Sequence, residues 1–143
     1  MRKTIVASAV MLAMLASPVV ASADNTAPQG VASASKTNIY AGYSKAGYAS
    51  RSGSRWNVYE SYSKIGYLQR SGNRWNVYEG YSKVGYVSRS GSRWNIYESY
   101  SKIGYASRSG NRHNVYEDYS RVGYAQGANS GPVGGAALLL AML

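Results

Sequence analysis

Between positions 36 and 126 polar and apolar residues alternate, in short runs punctuated by Ser-Gly and Tyr-Ser pairs. In Arg74-Trp75-Asn76-Val77-Tyr78-Glu79, one side carries Trp75, Val77 and Glu79, and the other Arg74, Asn76 and Tyr78. A period of two predicts a strand rather than a helix. A second run, Lys83-Val84-Gly85-Tyr86-Val87-Ser88, repeats the alternation. Ser71-Gly72 suits a two-residue hairpin turn, because glycine accepts a positive φ. Gly80-Tyr81-Ser82 reads as a three-residue loop.

This pair of strands recurs. Arg70 to Ser88 is one copy of a nineteen-residue unit, with close copies at 51–69, 89–107 and 108–126 and a worn first copy at 32–50. Self-similarity at a fixed period governs how every other motif is read. The expected class is all-β, built of tandem nineteen-residue β-hairpin repeats over 36–126. In the expected register Glu79 faces Lys83, Val77 faces Gly85, and Trp75 faces Val87. With Ser90-Gly91 as the next turn, Lys83 faces Glu98, Gly85 faces Ile96, and Val87 faces Trp94. The two loop lengths then cancel and no stagger accumulates. A closed barrel requires stagger, which this register lacks without bulges. The first expectation is therefore an antiparallel meander or hairpin stack, the second a β-solenoid. A closed five-fold arrangement of hairpins is also compatible with the period.

Large aliphatic residues such as Val77 and Val84 number only one to three per copy. Tyrosine must contribute to burial, since all 15 tyrosines of the chain lie in the repeats, three to a copy. Two packed layers or self-association would cover them. In the worn first copy Thr37 stands where three copies have Trp, and in the last copy His113 does. Atypical end units are usual in repeat stacks, and plain sequence drift explains them equally well.

Outside the repeats, a basic start, the apolar run 5–16 and Ala21-Ser22-Ala23 have the form of a secretion signal over residues 1–23. A flexible leader over 24–35 follows, and a Gly-rich linker with a short apolar tail fills 127–143. The tail is too short to span a bilayer but sufficient for a strand, a docked helix or a membrane-surface contact. The expected location is exported: periplasmic, secreted or cell-surface. With no cysteine, disulfides and thiolate chemistry are excluded. The net charge of +10 favours anionic partners such as cell-envelope polymers.

The candidate chemistry is repetitive rather than local. Arg55, Asn57, Tyr59 and Tyr67 share one face, as do Arg74, Asn76, Tyr78 and Tyr86. Arg93, Asn95, Tyr97 and Tyr105 follow, then Arg112, Asn114, Tyr116 and Tyr124. Such a face could hold a glycan by hydrogen bonding and stacking, or a nucleic-acid backbone and its bases. The plainer reading has Asn satisfying backbone groups and Tyr forming core. Trp56, Trp75 and Trp94 make an aromatic row on the opposite face, either core or an exposed platform.

One histidine and no cysteine make a poor metal site, and no cofactor is expected. Glu60, Glu79, Glu98 and Glu117 recur nineteen residues apart, opposite lysines, and read as structural charges rather than an acid/base pair. No enzyme activity is expected. The asparagines at 38, 57, 76, 95 and 114 resemble, in style only, the ladders of secreted biofilm amyloid subunits, without their paired Gln pattern.

The functional expectation is an exported structural or adhesive β-repeat protein, self-associating at the cell surface. The alternative is a glycan- or cell-wall-binding module using the repeated Arg, Asn, Tyr and Trp. Partners are accordingly the chain itself or anionic envelope polymers and glycans, with nucleic acid not favoured.

Overall fold

The computed structural model describes residues 36–143, so the expected signal and leader lie outside the described residues. Each copy supplies a short strand and a long one. These are β1 (Lys36–Ala41) and β2 (Ser44–Ser52), β3 (Arg55–Glu60) and β4 (Ser63–Ser71), then β5 (Arg74–Glu79) and β6 (Ser82–Ser90). They continue as β7 (Arg93–Glu98) and β8 (Ser101–Ser109), and β9 (Arg112–Glu117) and β10 (Ser120–Gly127), before a helix, α1 (Ser130–Leu139). All ten strands form one closed antiparallel barrel, in which β1 pairs with β10. The open meander, the hairpin stack and the solenoid are thereby corrected.

The error lies in the turns. Two of these expected pairings do form, Trp75 with Val87 and Val77 with Gly85, and between them Asn76 meets Tyr86. The hairpin turn, however, is two residues, closing Glu79 on Ser82. The next turn is Gly91-Ser92, one position later than expected, and closes Ser90 on Arg93. Gly91 takes φ +61°, which suits glycine as the first central residue of a type II′ turn. Lys83 thus faces Tyr78, not Glu79, and Gly85 faces Glu98, not Ile96.

Two tight turns alone would carry Val77 across to Val84 and on to Ser99, three residues beyond its counterpart Ile96. An odd offset would turn the inward set of the next copy outward, because side chains alternate with period two. A β-bulge at Val84 absorbs one residue, so Val77 meets Gly85 and Gly85 meets Glu98, an offset of two. Equivalent bulges interrupt all five hairpins. Five steps of two residues give a total stagger of ten over ten strands. That corresponds to a strand tilt of about 35° and a backbone diameter of about 19 Å. The closing pairs Tyr40–Tyr124 and Ile39–Ala125 repeat the register of Tyr97–Tyr86 and Ile96–Val87. The seam is an ordinary junction.

Ten strands enclose more space than their own inward side chains fill, since about eight strands is the width at which they suffice. The apolar tail occupies it. Residues 130–138 are buried, and Val133, Ala136 and Ala137 join a core with Ile39, Val58, Leu68, Val77, Val87, Ile96 and Val115. Glycines let helix and wall approach: a Cβ at Gly135 would stand 2.6 Å from Val87, and one at Gly134 2.7 Å from Val115. The helix ends in a Schellman arrangement, with Met142 N–H donating to Ala137 C=O, Ala141 N–H to Leu138 C=O, and Ala141 at φ +58°. That turn spreads the last side chains around the wall. Gly104, Gly85, Gly66, Gly47 and Gly123 receive Leu138, Leu139, Leu140, Met142 and Leu143 respectively. Each copy thus contributes one glycine and accepts one tail side chain. The barrel fills itself without a second sheet or a second chain.

A methyl group at Gly85 would meet both the Tyr97 carbonyl and Leu139. Gly85→Ala should cost about 1–3 kcal/mol by overpacking, because backbone cannot move aside as a side chain can. Thermal denaturation checks this. An unchanged midpoint would show that the wall glycines are not needed for packing.

Candidate functional site

The barrel has two unlike ends because every copy runs the same way. One mouth is ringed by the turns that hold Gly53, Gly72, Gly91 and Gly110. Its cations are Lys36 and the arginines flanking each turn, namely 51 and 55, 70 and 74, 89 and 93, 108 and 112. Among the described residues this end has nine cations and no acid. The other end carries Lys45, Lys64, Lys83, Lys102 and Arg121 against Glu60, Glu79, Glu98, Glu117 and Asp118, five of each sign. The excess positive charge of the barrel is therefore confined to one mouth.

Strand alternation sorts these arginines into two sets. Arg70 pairs with Trp75 and Arg89 with Trp94, so both arginines share the lumen face of those indoles. In each, Nε donates to the carbonyl of the turn glycine two residues on, Gly72 or Gly91, at 3.3 and 3.2 Å. Arg51 and Arg108 do the same with Gly53 and Gly110. The bond fixes the plane of the guanidinium while leaving both Nη groups outside it, the fork that grips carboxylate or phosphate in pairs. Arg55, Arg74, Arg93 and Arg112 lie instead on the outer wall, 4.5–4.6 Å over the rings of Tyr67, Tyr86, Tyr105 and Tyr124.

On that outer wall the tyrosines are stacked across every junction. Tyr48–Tyr59, Tyr67–Tyr78, Tyr86–Tyr97, Tyr105–Tyr116 and the seam pair Tyr40–Tyr124 have centroids 4.5–4.9 Å apart. Such pairs contribute about 0.5–1.5 kcal/mol each beyond burial. The face of Arg, Asn and Tyr thus clasps copy to copy, with the rings half-buried in their own stacks. Asn57 and Asn95 occupy the same outer row as Asn38, Asn76 and Asn114, whose Oδ1 atoms are buried without a protein partner.

The tryptophans line the lumen. Trp56 is buried, while Trp75 and Trp94 are partly exposed at the arginine mouth. Arg70, Arg89, Trp75 and Trp94 border a cleft of about 620 Å³. A second cleft of about 290 Å³ lies between Trp94, Arg108, Arg112 and His113. Asn129, just before the helix, lines both. Sequence reading singled out the tryptophan row and the outer arginines. It missed Arg51, Arg70, Arg89 and Arg108, although their inward parity with Trp was available from the alternation.

The worn positions also find a reason. At the place of the missing indoles the chain leaves β10 and turns into the lumen. Thr37, in the first copy, is buried and donates its hydroxyl to the Ala128 carbonyl. His113, in the last, holds Ser130 Oγ at 2.6 Å through Nδ1. An indole at either position would occupy the path of the linker. Burial, and secondarily the charge of Arg108, lower the His113 pKa below the ordinary value of 6.5.

The expected adhesive array and the alternative glycan-binding module both presuppose an open series of repeats. A single closed domain replaces them: β1–β10 pairing leaves no sheet edge to template growth, and the Trp row faces the lumen. No group of three potential metal ligands occurs among the described residues. Nor is any helix among them long and apolar enough to cross a membrane. Comparison with known proteins finds no matching family model, no matching curated protein and no matching solved structure.

The His113 shift has a sign that can be measured. Its native pKa is depressed, so the unfolded chain binds the proton first as pH falls. The stability it supplies is complete above 6.5 and is lost as pH drops through the native value. The melting temperature should therefore fall between about pH 6.5 and pH 5, before carboxylates titrate, and His113→Asn should flatten that slope. An identical slope in both proteins would contradict the assignment.

Proposed function

We propose that this protein binds a small, multiply anionic ligand in its arginine mouth, as an exported binding protein without turnover. The observation that carries the reading is the separation of charge: nine cations and no acid at one end, balance at the other. A solubilising surface would mix the two signs. A mouth of one sign focuses field and draws anions toward it. Arg70 and Arg89 present pre-oriented forks to a cleft that they line together with Trp75 and Trp94. Phosphate or carboxylate groups would take the forks, and a flat portion of the ligand the indoles. The basic-apolar-small N-terminal segment supports export.

Titration of the full chain with pyrophosphate and with naphthyl phosphate, followed by calorimetry and tryptophan fluorescence, tests this. Binding should weaken with salt. Arg70→Gln and Arg89→Gln should each raise Kd roughly ten- to hundredfold, as expected for loss of a charge-assisted bond of about 1.5–3 kcal/mol. Absence of binding at low salt, or equal affinity in the variants, overturns the reading.

A further inference from the structure

The end opposite the arginines has an anatomy of its own. Tyr43, Tyr62, Tyr81, Tyr100 and Tyr119 occupy the second position of the five hairpin turns, and each is at least 83% exposed. Repeat equivalence places them as one ring around the barrel rim. Inside that ring lie the last side chains of the plug, with Leu139, Leu140 and Leu143 half-buried and Ala141 exposed. Behind it stand the five cations and five acids of the rim.

Tyr43 lies under the Arg121 guanidinium, 5.4 Å from it, and the other four rings take no part in packing the barrel. Tyr62 and Tyr119 are held at φ 72° and 70°, in the left-handed region, where Asn or Gly would sit with less strain. The preceding turn residue varies freely among Gly42, Ser61, Gly80, Ser99 and Asp118, whereas the tyrosine does not vary among the copies. Strained backbone beneath a fully exposed ring is the pattern expected of a functional position.

We infer that this crown seats the barrel on the headgroup layer of a zwitterionic lipid bilayer. Tyrosine rings settle at the boundary between headgroups and acyl chains, with their hydroxyls toward water. The central leucines and alanine would enter slightly deeper, and the rim charges, equal in number and mixed in sign, match headgroups that carry both signs. In that orientation the arginine mouth points away from the membrane. The inference stands apart from anion binding, because it uses none of the same residues.

The test is co-flotation of the full chain with phosphatidylcholine vesicles, beside the fivefold Tyr→Ser variant of residues 43, 62, 81, 100 and 119. Both proteins carry the same N-terminal segment, so their difference reports the crown. The wild type should float with the vesicles, and should still do so in about 1 M salt, where the Debye length is near 3 Å. The variant should lose most of this binding. As a second variant, Tyr62→Asn/Tyr119→Asn should raise the melting temperature while lowering vesicle binding, a combination that a purely structural role would not produce. Equal flotation of wild type and variants overturns the inference. So does binding confined to anionic vesicles and abolished by salt, which would place the arginine end on the lipid. Vesicle-free dimers lost in the Tyr→Ser variant, without flotation of the wild type, would assign the crown to a second copy instead.

Discussion

A ten-stranded wall encloses more space than its own inward side chains can occupy, and the rest of the structure answers that constraint. With about eight strands, side chains meet across the middle; with ten, something must be put there. This chain uses its own C-terminal segment. The solution works because the segment is narrow where it passes the bulky part of the wall, at Gly131, Gly134 and Gly135, and wide where the wall is narrowest. Around the second level the relation inverts, and five wall glycines receive five tail side chains. The repeat block and the tail, unlike in composition, are two halves of one core.

Closure also fixes where chemistry can reside. Antiparallel strands reverse at every turn, and the two turn types alternate, so each kind of turn collects at one end. Glycine turns with their arginines form one mouth and tyrosine turns the other rim. The outer wall between them is spent on adhesion between copies, through tyrosine stacks capped by arginine and lysine. A five-copy sequence that looks uniform along its length therefore becomes strongly polar along the barrel axis. Ligand recognition in the mouth and surface contact at the rim both follow from that polarity.

Much of this was legible in the residues, and the part that was not has identifiable causes. Alternation separated Trp75 and Val77 from Arg74, Asn76 and Tyr78, and the structure has the same division between lumen and outer wall. Topology turned on two details that alternation does not register. Placing a turn at Ser90-Gly91 rather than Gly91-Ser92 removes the entire stagger. The bulge leaves no trace in an apolar pattern, because Val84 and Gly85 both suit an interior and either could face it. The tail was uninformative in isolation: from Gly131 to Leu138 it is apolar on all sides because it is surrounded, and only the size of the lumen explains why. Thr37 and His113 read equally well as end-unit variation or as drift until the path of the linker past them is known.

The central claim is that the first and last strands are neighbours, and a cross-link tests it most directly. The chain has no cysteine, so Asn38→Cys with Gln126→Cys introduces a single pair at facing positions on β1 and β10. Facing residues of antiparallel strands lie about 4.5–5.5 Å apart between Cα atoms, within the range a disulfide spans. Mild oxidation of dilute protein should give an intramolecular disulfide in nearly every molecule. Asn38→Cys with Gln69→Cys, on β4, should give none. Free thiols or intermolecular dimers from the first pair would mean that the barrel is open.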